Sequence, residues 1–221
     1  MPITHVGYAT SSGSGSTQNV ALPTGTVAGD YLLLTQLRYG TTLATPPTNC
    51  PALTPSYTNT PAGTQASCAR FIDGTEGSLF TFTNINTWGT ILIAESFRGV
   101  HTTTPLDTAI LYQNGTGTTH NAPSQTPVTA GAMLVTHHVN WYTQAYLNPA
   151  SGMTKIVDLI YGGDLDAMSA YQLLGAAGAP TGVKGATAQY SSGFTGASLL
   201  LRPAVAGSSG PEPGRRLLLS A

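Results

Sequence analysis

Trp88–Val100 reads WGTILIAESFRGV and Gly193–Val205 reads GFTGASLLLRPAV. Each climbs through an apolar run, reaches an arginine (Arg98, Arg202) and stops. A short apolar run rich in β-branched residues and bounded by glycine reads as a strand covered on both faces. Three further pairs keep the same order. AGDYLLL (Ala28–Leu34) matches AGAMLVT (Ala130–Thr136), PPTNC (Pro46–Cys50) matches NPASG (Asn148–Gly152), and ARFIDG (Ala69–Gly74) matches AYQLLG (Ala170–Gly175). The offset stays at about 101–104 residues through all four pairs, the first pair being aligned on its arginines. A fixed order at a fixed offset is the mark of an internal repeat. Each half therefore reads as an Ala-Gly turn, a long buried strand, a Pro-rich loop, a strand ending in glycine, and a closing apolar strand with arginine.

The 26 glycines and 15 prolines cut the chain into short segments. No run of helical length shows capped apolar spacing of 3.6. Strands are expected at 3–9, 17–22, 30–39, 66–73, 78–83, 88–98, 108–113, 131–140, 153–161, 167–174, 185–191 and 194–202. SLFTFT alternates and reads as half-exposed, whereas YLLLTQL and TILIA read as covered on both faces. The expected fold is all-β: a jelly-roll-like β-sandwich over 1–204, built from two pseudo-repeated halves (about 17–104 and 107–204). The halves are expected to contribute to shared sheets, because no linker separates them as it would in tandem sandwiches.

Charged residues make up 8% of the chain, against about 25% in an average domain. The net charge is −1. Nothing in this balance draws nucleic acid or an anionic membrane. A surface of Thr, Ser, Asn, Gln and Gly suits close contact with neighbouring subunits or sugars. No stretch approaches the roughly 18 apolar residues of a membrane span. The N-terminal stretch lacks the basic and apolar regions of a secretory signal, so synthesis in a cytosol is expected unless a leader has been trimmed. Cys50 and Cys68 flank a segment that can form a hairpin turning near Asn59–Pro61. They read either as a disulfide across it or as two small buried thiols.

The sequence names no catalytic residue, metal ligand or cofactor site. Asp164 and Asp166 in GGDLD, and Asp73 and Glu76 in DGTEG, could offer oxygens to calcium, but neither stretch has the twelve-residue calcium-loop pattern. Aspartate beside glycine is also ordinary turn chemistry. Glu95 lies within an apolar strand, and pairing with Arg98, Arg202 or Arg38 is its expected fate. The recurring arginines are expected to cap the sandwich edge through loop carbonyls. His137 and His138 are adjacent, so on a strand they face opposite ways and cannot share a metal. Neither HExxH nor G-x-S-x-G occurs. Trp141, Tyr142 and Tyr146 are candidates for glycan contact, or simply cover a sheet end.

Residues 205–221 differ in character. A Gly/Ser/Pro tether leads to Arg215, Arg216, Leu217, Leu218 and Leu219, an extended arm that a neighbouring subunit could accept as an added strand. The other reading is an arm folded back on its own domain.

LPTGTVAGDYLLL, SLFTFT, WGTILIAESFRGVHTTTPLD and the second round ending ASLLLRP together resemble a group of duplicated β-sandwich virion proteins of tailed bacteriophages, of the minor-tail or capsid-decoration type. The resemblance covers about 17–203. It departs where the usual pattern has Gly-Trp after the Pro-rich loop and this chain has Asn49-Cys50. It implies a non-enzymatic, homo-oligomeric structural component of the virion, made in the host cytoplasm. The implied partners are major capsid or tail proteins and further copies of the chain. A glycan-binding module for host-surface recognition is the alternative.

Overall fold

Tyr31–Arg38 is buried at every position, and so are Met133–Asn140 and most of Thr90–Arg98. Strands of this kind need a layer on each face, and the computed structural model supplies them. It describes residues 1–38, 42–59, 63–83, 89–140, 146–162 and 165–205. Among these the structure is all strand and loop, with every ladder antiparallel.

The first sheet runs β1 (Thr4–Gly13), β7 (Thr90–Arg98), β3 (Tyr31–Arg38), β5 (Gly63–Phe71) and β4 (Ala52–Asn59) across its width. The second runs β8 (Leu111–Ala122), β13 (Lys184–Leu201), β9 (Met133–Asn140), β12 (Leu165–Leu173) and β11 (Thr154–Tyr161), with the short β10 (Tyr146–Asn148) also on β13. Strands taken in chain order within each sheet occupy corresponding places: the last lies between the first and second, and the third is at the far edge. A two-stranded ribbon of β2 (Thr17–Ala21) and β6 (Leu79–Thr83) completes the set.

The two sheets pack face to face as a β-sandwich. Tyr31, Leu33, Ala69 and Phe97 of the first meet Met133, Val135, Leu199 and Leu201 of the second. Further along, Leu37, Ile91 and Ile93 meet Val139, Leu165 and Ala167. The alternate residues of the first sheet, Leu32, Leu34, Leu92 and Ala94, face away and are covered by Val20, Phe80 and Phe82 of the ribbon. The LLL of β3 is thus divided between two cores by the period of two. Each fully buried Leu or Ile contributes about 1.5–3 kcal/mol, so the doubly covered strands anchor the fold.

Several features differ from the sequence expectation, among them a strand at Leu111–Ala122 where 108–113 was expected and a short one at Tyr146–Asn148 where none was. The first sheet draws its strands only from 4–98 and the second only from 111–201, so the halves stack as separate sheets and do not share them. Ala52–Asn59, absent from the expected strands, is a strand. It forms the expected hairpin with β5, and as the last strand of its sheet it tolerates Pro55. The expected strands 185–191 and 194–202 are one long strand with an irregularity between Thr187 and Ser192. Cys50 and Cys68 are both buried, free thiols.

Candidate functional site

The recurring arginines lie at one pole of the sandwich. Arg98 Nε and Nη2 donate to the two oxygens of Asp30, each at 2.8 Å, and Nη2 also reaches the Gly25 carbonyl at 3.3 Å. The second oxygen of Asp30 accepts the Val27 amide at 2.9 Å. In the second half, Arg202 Nε donates to Asp107 at 3.2 Å and Nη1 to Thr104 Oγ1 at 3.1 Å. Asp107 accepts the Val128 and Thr129 amides at 2.6 and 3.0 Å. Burial alone would push the Asp107 carboxyl up, but the bonds from Thr129, Val128 and Arg202 outweigh it and hold the carboxyl below its ordinary value. Both turns carry the repeated Ala-Gly, and Gly29 and Gly131 have φ of 91° and 78°, which β-carbon-bearing residues rarely adopt. The arginines were expected to cap the edge through loop carbonyls; their acceptors are instead mainly carboxylates, and among the described contacts only Arg98 reaches a loop carbonyl, that of Gly25.

Each clamped turn holds a valine out to solvent: Val27 at 53% exposure and Val128 at 68%. Met1 and Val205 are exposed at the same pole, where Ala204 N bonds the Gly99 carbonyl at 2.8 Å, next to Arg98. The chain continues from Val205 toward the tether.

Glu95 does not pair with arginine. Three residues apart on a strand, Glu95 and Arg98 face opposite ways. Glu95 shares its face with Ile93 and Phe97 and points into the inter-sheet core. There His137 Nε2–H donates to its Oε2 at 2.7 Å, and the Ser169 hydroxyl donates to Oε1 through a short bond. All three residues are completely buried. Serine and histidine both bind the acid and not each other, so this is no nucleophile–base relay. It joins β7 of one sheet to β9 and β12 of the other. His5 lies near Glu95 and stacks on Tyr171 at 5.4 Å. Burial lowers the pKa of its ring, and the charge of Glu95 partly offsets that. Arg38, also considered for Glu95, is buried, and its guanidinium has no hydrogen-bond partner among the described residues.

A second polar network lies on the outer face of the second sheet. His120 Nε2 reaches the Gly117 carbonyl at 3.0 Å and so carries the proton, and Nδ1 accepts the Tyr146 hydroxyl at 2.8 Å. The ring stacks on Phe194 at 4.7 Å. Burial pulls His120 down to about 4 and the neighbouring His138 down to about 3. Asp166 is buried near Asp158 and accepts Asn140 Nδ2 at 3.4 Å. Burial and the second carboxylate hold its pKa well above the usual carboxylate range. Tyr146 is 1% exposed and its hydroxyl is taken, so it belongs to this interior network and offers no ring face at the surface. Trp141 and Tyr142 lie outside the described residues, as do Asp164 and the arm residues Arg215, Arg216, Leu217, Leu218 and Leu219.

The Asp73–Glu76 turn is self-satisfied. Glu76 accepts the amides of Asp73 and Gly74, each at 2.9 Å, and Arg70 binds Glu76 at 2.8 Å and Asp73 at 3.2 Å. Among the described residues no group of three or more acids, histidines or cysteines could hold a metal.

Beside that turn runs an open groove of about 430 Å³, lined by Thr45, Pro46, Pro47 and Thr48 on one side and Leu79, Thr81 and Thr83 on the other. Thr45 and Thr83 exchange both backbone hydrogen bonds, at 2.8 and 3.1 Å. Pro46 and Pro47 then have no N–H to continue the ladder. Backbone direction alternates along a strand, so Leu79 and Thr81 also aim their N–H and C=O at the groove. No backbone partner faces either residue on that side among the described residues. The sequence reading missed this edge. Its signal is the Pro-Pro pair directly after a strand-forming threonine.

Comparison of the chain with protein-family models, curated proteins and solved structures gave no match.

Proposed function

We propose that this chain is a non-enzymatic structural component of a bacteriophage virion, a capsid decoration or minor tail protein. It docks on other virion proteins and on copies of itself through its surface and terminal segments. The observation that carries this reading is the pole where two Arg–carboxylate clamps hold exposed valines beside the exit of the chain at Val205. A docking tip of this kind loses little conformational entropy on binding, because its turns are already fixed. The low charge and the sequence resemblance over 17–203 support the same reading. We infer also that the two halves are pseudo-repeats of one motif, which the corresponding strand order of the two sheets supports. This wiring departs from a jelly roll, in which the strands would alternate between sheets.

Mass analysis of purified virions tests the proposal. Many copies per particle mean decoration, and a handful mean a tail tip. Absence of the chain from the particle would sink the reading. A chain ending at Val205 should fold and yet fail to join the particle.

A further inference from the structure

We infer that the groove along β6 is an acceptor site for an extended strand, and that its occupant is Arg215–Leu219 of a second copy of this chain. The inference rests on the docking reading above and names the partner and the surfaces. Three observations converge on it. The first is the unfilled ladder: Thr45 occupies one position beside Thr83, and among the described residues the edge at Thr81 and Leu79 stands open. An extended segment laid there fills the rest of that edge with backbone hydrogen bonds of its own, which is how strand addition obtains its affinity.

The second is chemical match. The groove walls are Pro46, Pro47 and Leu79, the last 56% exposed. They suit the leucines of RRLLL, of which Leu217 and Leu219 share one face in an extended chain. Arg70 and Glu76 also line the groove, and Arg70 binds Asp73 beside it, one cation against two acids. Arg215 and Arg216 complement that excess, which sets the added strand parallel to β6.

The third is reach. The nine residues 206–214 separate Val205 from Arg215 and span up to roughly 30 Å when extended. Val205 and the Asp73–Glu76 turn lie at the same pole, since Gly29 N bonds the Ile72 carbonyl at 2.8 Å while Asp30 holds Arg98. Pro211 and Pro213 favour an extended tether, which directs the strand outward to a neighbour. Because arm and groove are different surfaces, the contact is head-to-tail, closing by reciprocal exchange or running on as a chain of copies.

The test uses two full-length variants and analytical ultracentrifugation. Thr81→Pro removes one N–H that faces the groove and leaves the ladder to β2 intact, because that ladder is made by Phe80 and Phe82. Leu217→Asp with Leu219→Asp disables the arm. Each variant alone should be monomeric where the parent chain associates, and the two mixed should form a one-to-one complex, one supplying the groove's occupant and the other the groove. Leu79→Arg, a change at an exposed side chain, serves as a second groove variant should Thr81→Pro fail to fold. It should weaken binding of the synthetic peptide PEPGRRLLLSA at least tenfold. The inference is overturned if the parent is monomeric, if the groove variants associate like the parent, or if mixing the arm variant with either groove variant yields no complex. Such a result with normal incorporation into particles would remove the arm-in-groove contact alone and leave the docking role standing.

Discussion

Replacing Glu95 by leucine tests the account of the core most directly. The carboxylate sits in an apolar inter-sheet layer and is the acceptor for both the His137 Nε2–H and the Ser169 hydroxyl. Leucine at 95 fits the volume but strands two buried donors. Each costs about 1–3 kcal/mol when left without a partner, and removal of one member of a buried pair costs about 3–5 kcal/mol. For a domain of this length that is about 6–20 °C in the unfolding midpoint. The triple variant Glu95→Leu, His137→Leu, Ser169→Ala removes the donors as well. It should recover most of the loss, since buried polar groups replaced together by apolar ones are near neutral or stabilising. Under the proposed repeat the counterpart of Glu95 is Leu199, which packs in the inter-sheet core. Urea unfolding at neutral pH, fitted with a common m-value, reads both numbers. A single variant within ~0.5 kcal/mol of the parent, or a triple variant as unstable as the single one, would refute the assignment of Glu95 as acceptor for two otherwise unsatisfied donors.

Asp107→Ala should cost more than Arg202→Ala in thermal unfolding. The first strands the Val128 and Thr129 amides, at about 1–3 kcal/mol, while the second removes a partly exposed arginine, worth under about 1 kcal/mol. The reverse order would mean that the acid does not organise the turn. Stability should fall as pH drops below 6.5, because His120 and His138 have folded pKa values of about 4 and 3 and the unfolded chain binds their protons first. Asp166 acts in the opposite sense: its raised pKa means that its contribution is full below 3.8 and is lost as pH rises. His120→Phe should flatten the acid limb in a pH series of urea midpoints, and an unchanged limb counts against the assignment. Cys68, its pKa raised by the hydrogen bond with Cys50 and by burial, should resist alkylation in the folded protein. Rapid stoichiometric labelling of the native chain would contradict that burial. Oxidation to a Cys50–Cys68 disulfide should stabilise by about 3 kcal/mol through the short loop it closes, seen as a higher melting midpoint than that of the reduced form.

The strands that read clearly in sequence are those with apolar residues on both faces, such as β3, β7 and β9, because double burial leaves no polar position to blur the pattern. Ala52–Asn59 did not read as a strand because an edge strand needs no alternation and tolerates proline. Lys184–Leu201 read as two strands because Gly193 and its serine neighbours look like a break, while in space the strand bends and carries β10 and β9 in succession along one edge. The partner of Glu95 was out of reach for a different reason. Strand parity tells that Glu95 and Arg98 diverge, but the choice of His137 depends on how the two sheets stack, which no local pattern encodes. The groove was half legible, as Pro46-Pro47 marks where a ladder must stop, although the strand left open lies more than thirty residues further on.

The two arginine clamps reach one geometry by different routes. In the first half the acid is Asp30, directly before β3. Ala132 holds the corresponding place in the second half, and the acid comes instead from Asp107, in the connection between the sheets. Both acids bind the arginine that ends the closing strand, and both take the amide of the valine at the tip of an Ala-Gly turn. The same geometry is thus reached from positions that do not correspond in the proposed repeat. In both halves the outcome is the same: the acid fixes the turn and the valine stays exposed. Val27 and Val128 face largely to solvent and add little to the core that their turns cap. Contact with another surface is the use proposed for them above, and the chain leaves from that same pole toward the segment proposed to pair with a neighbour.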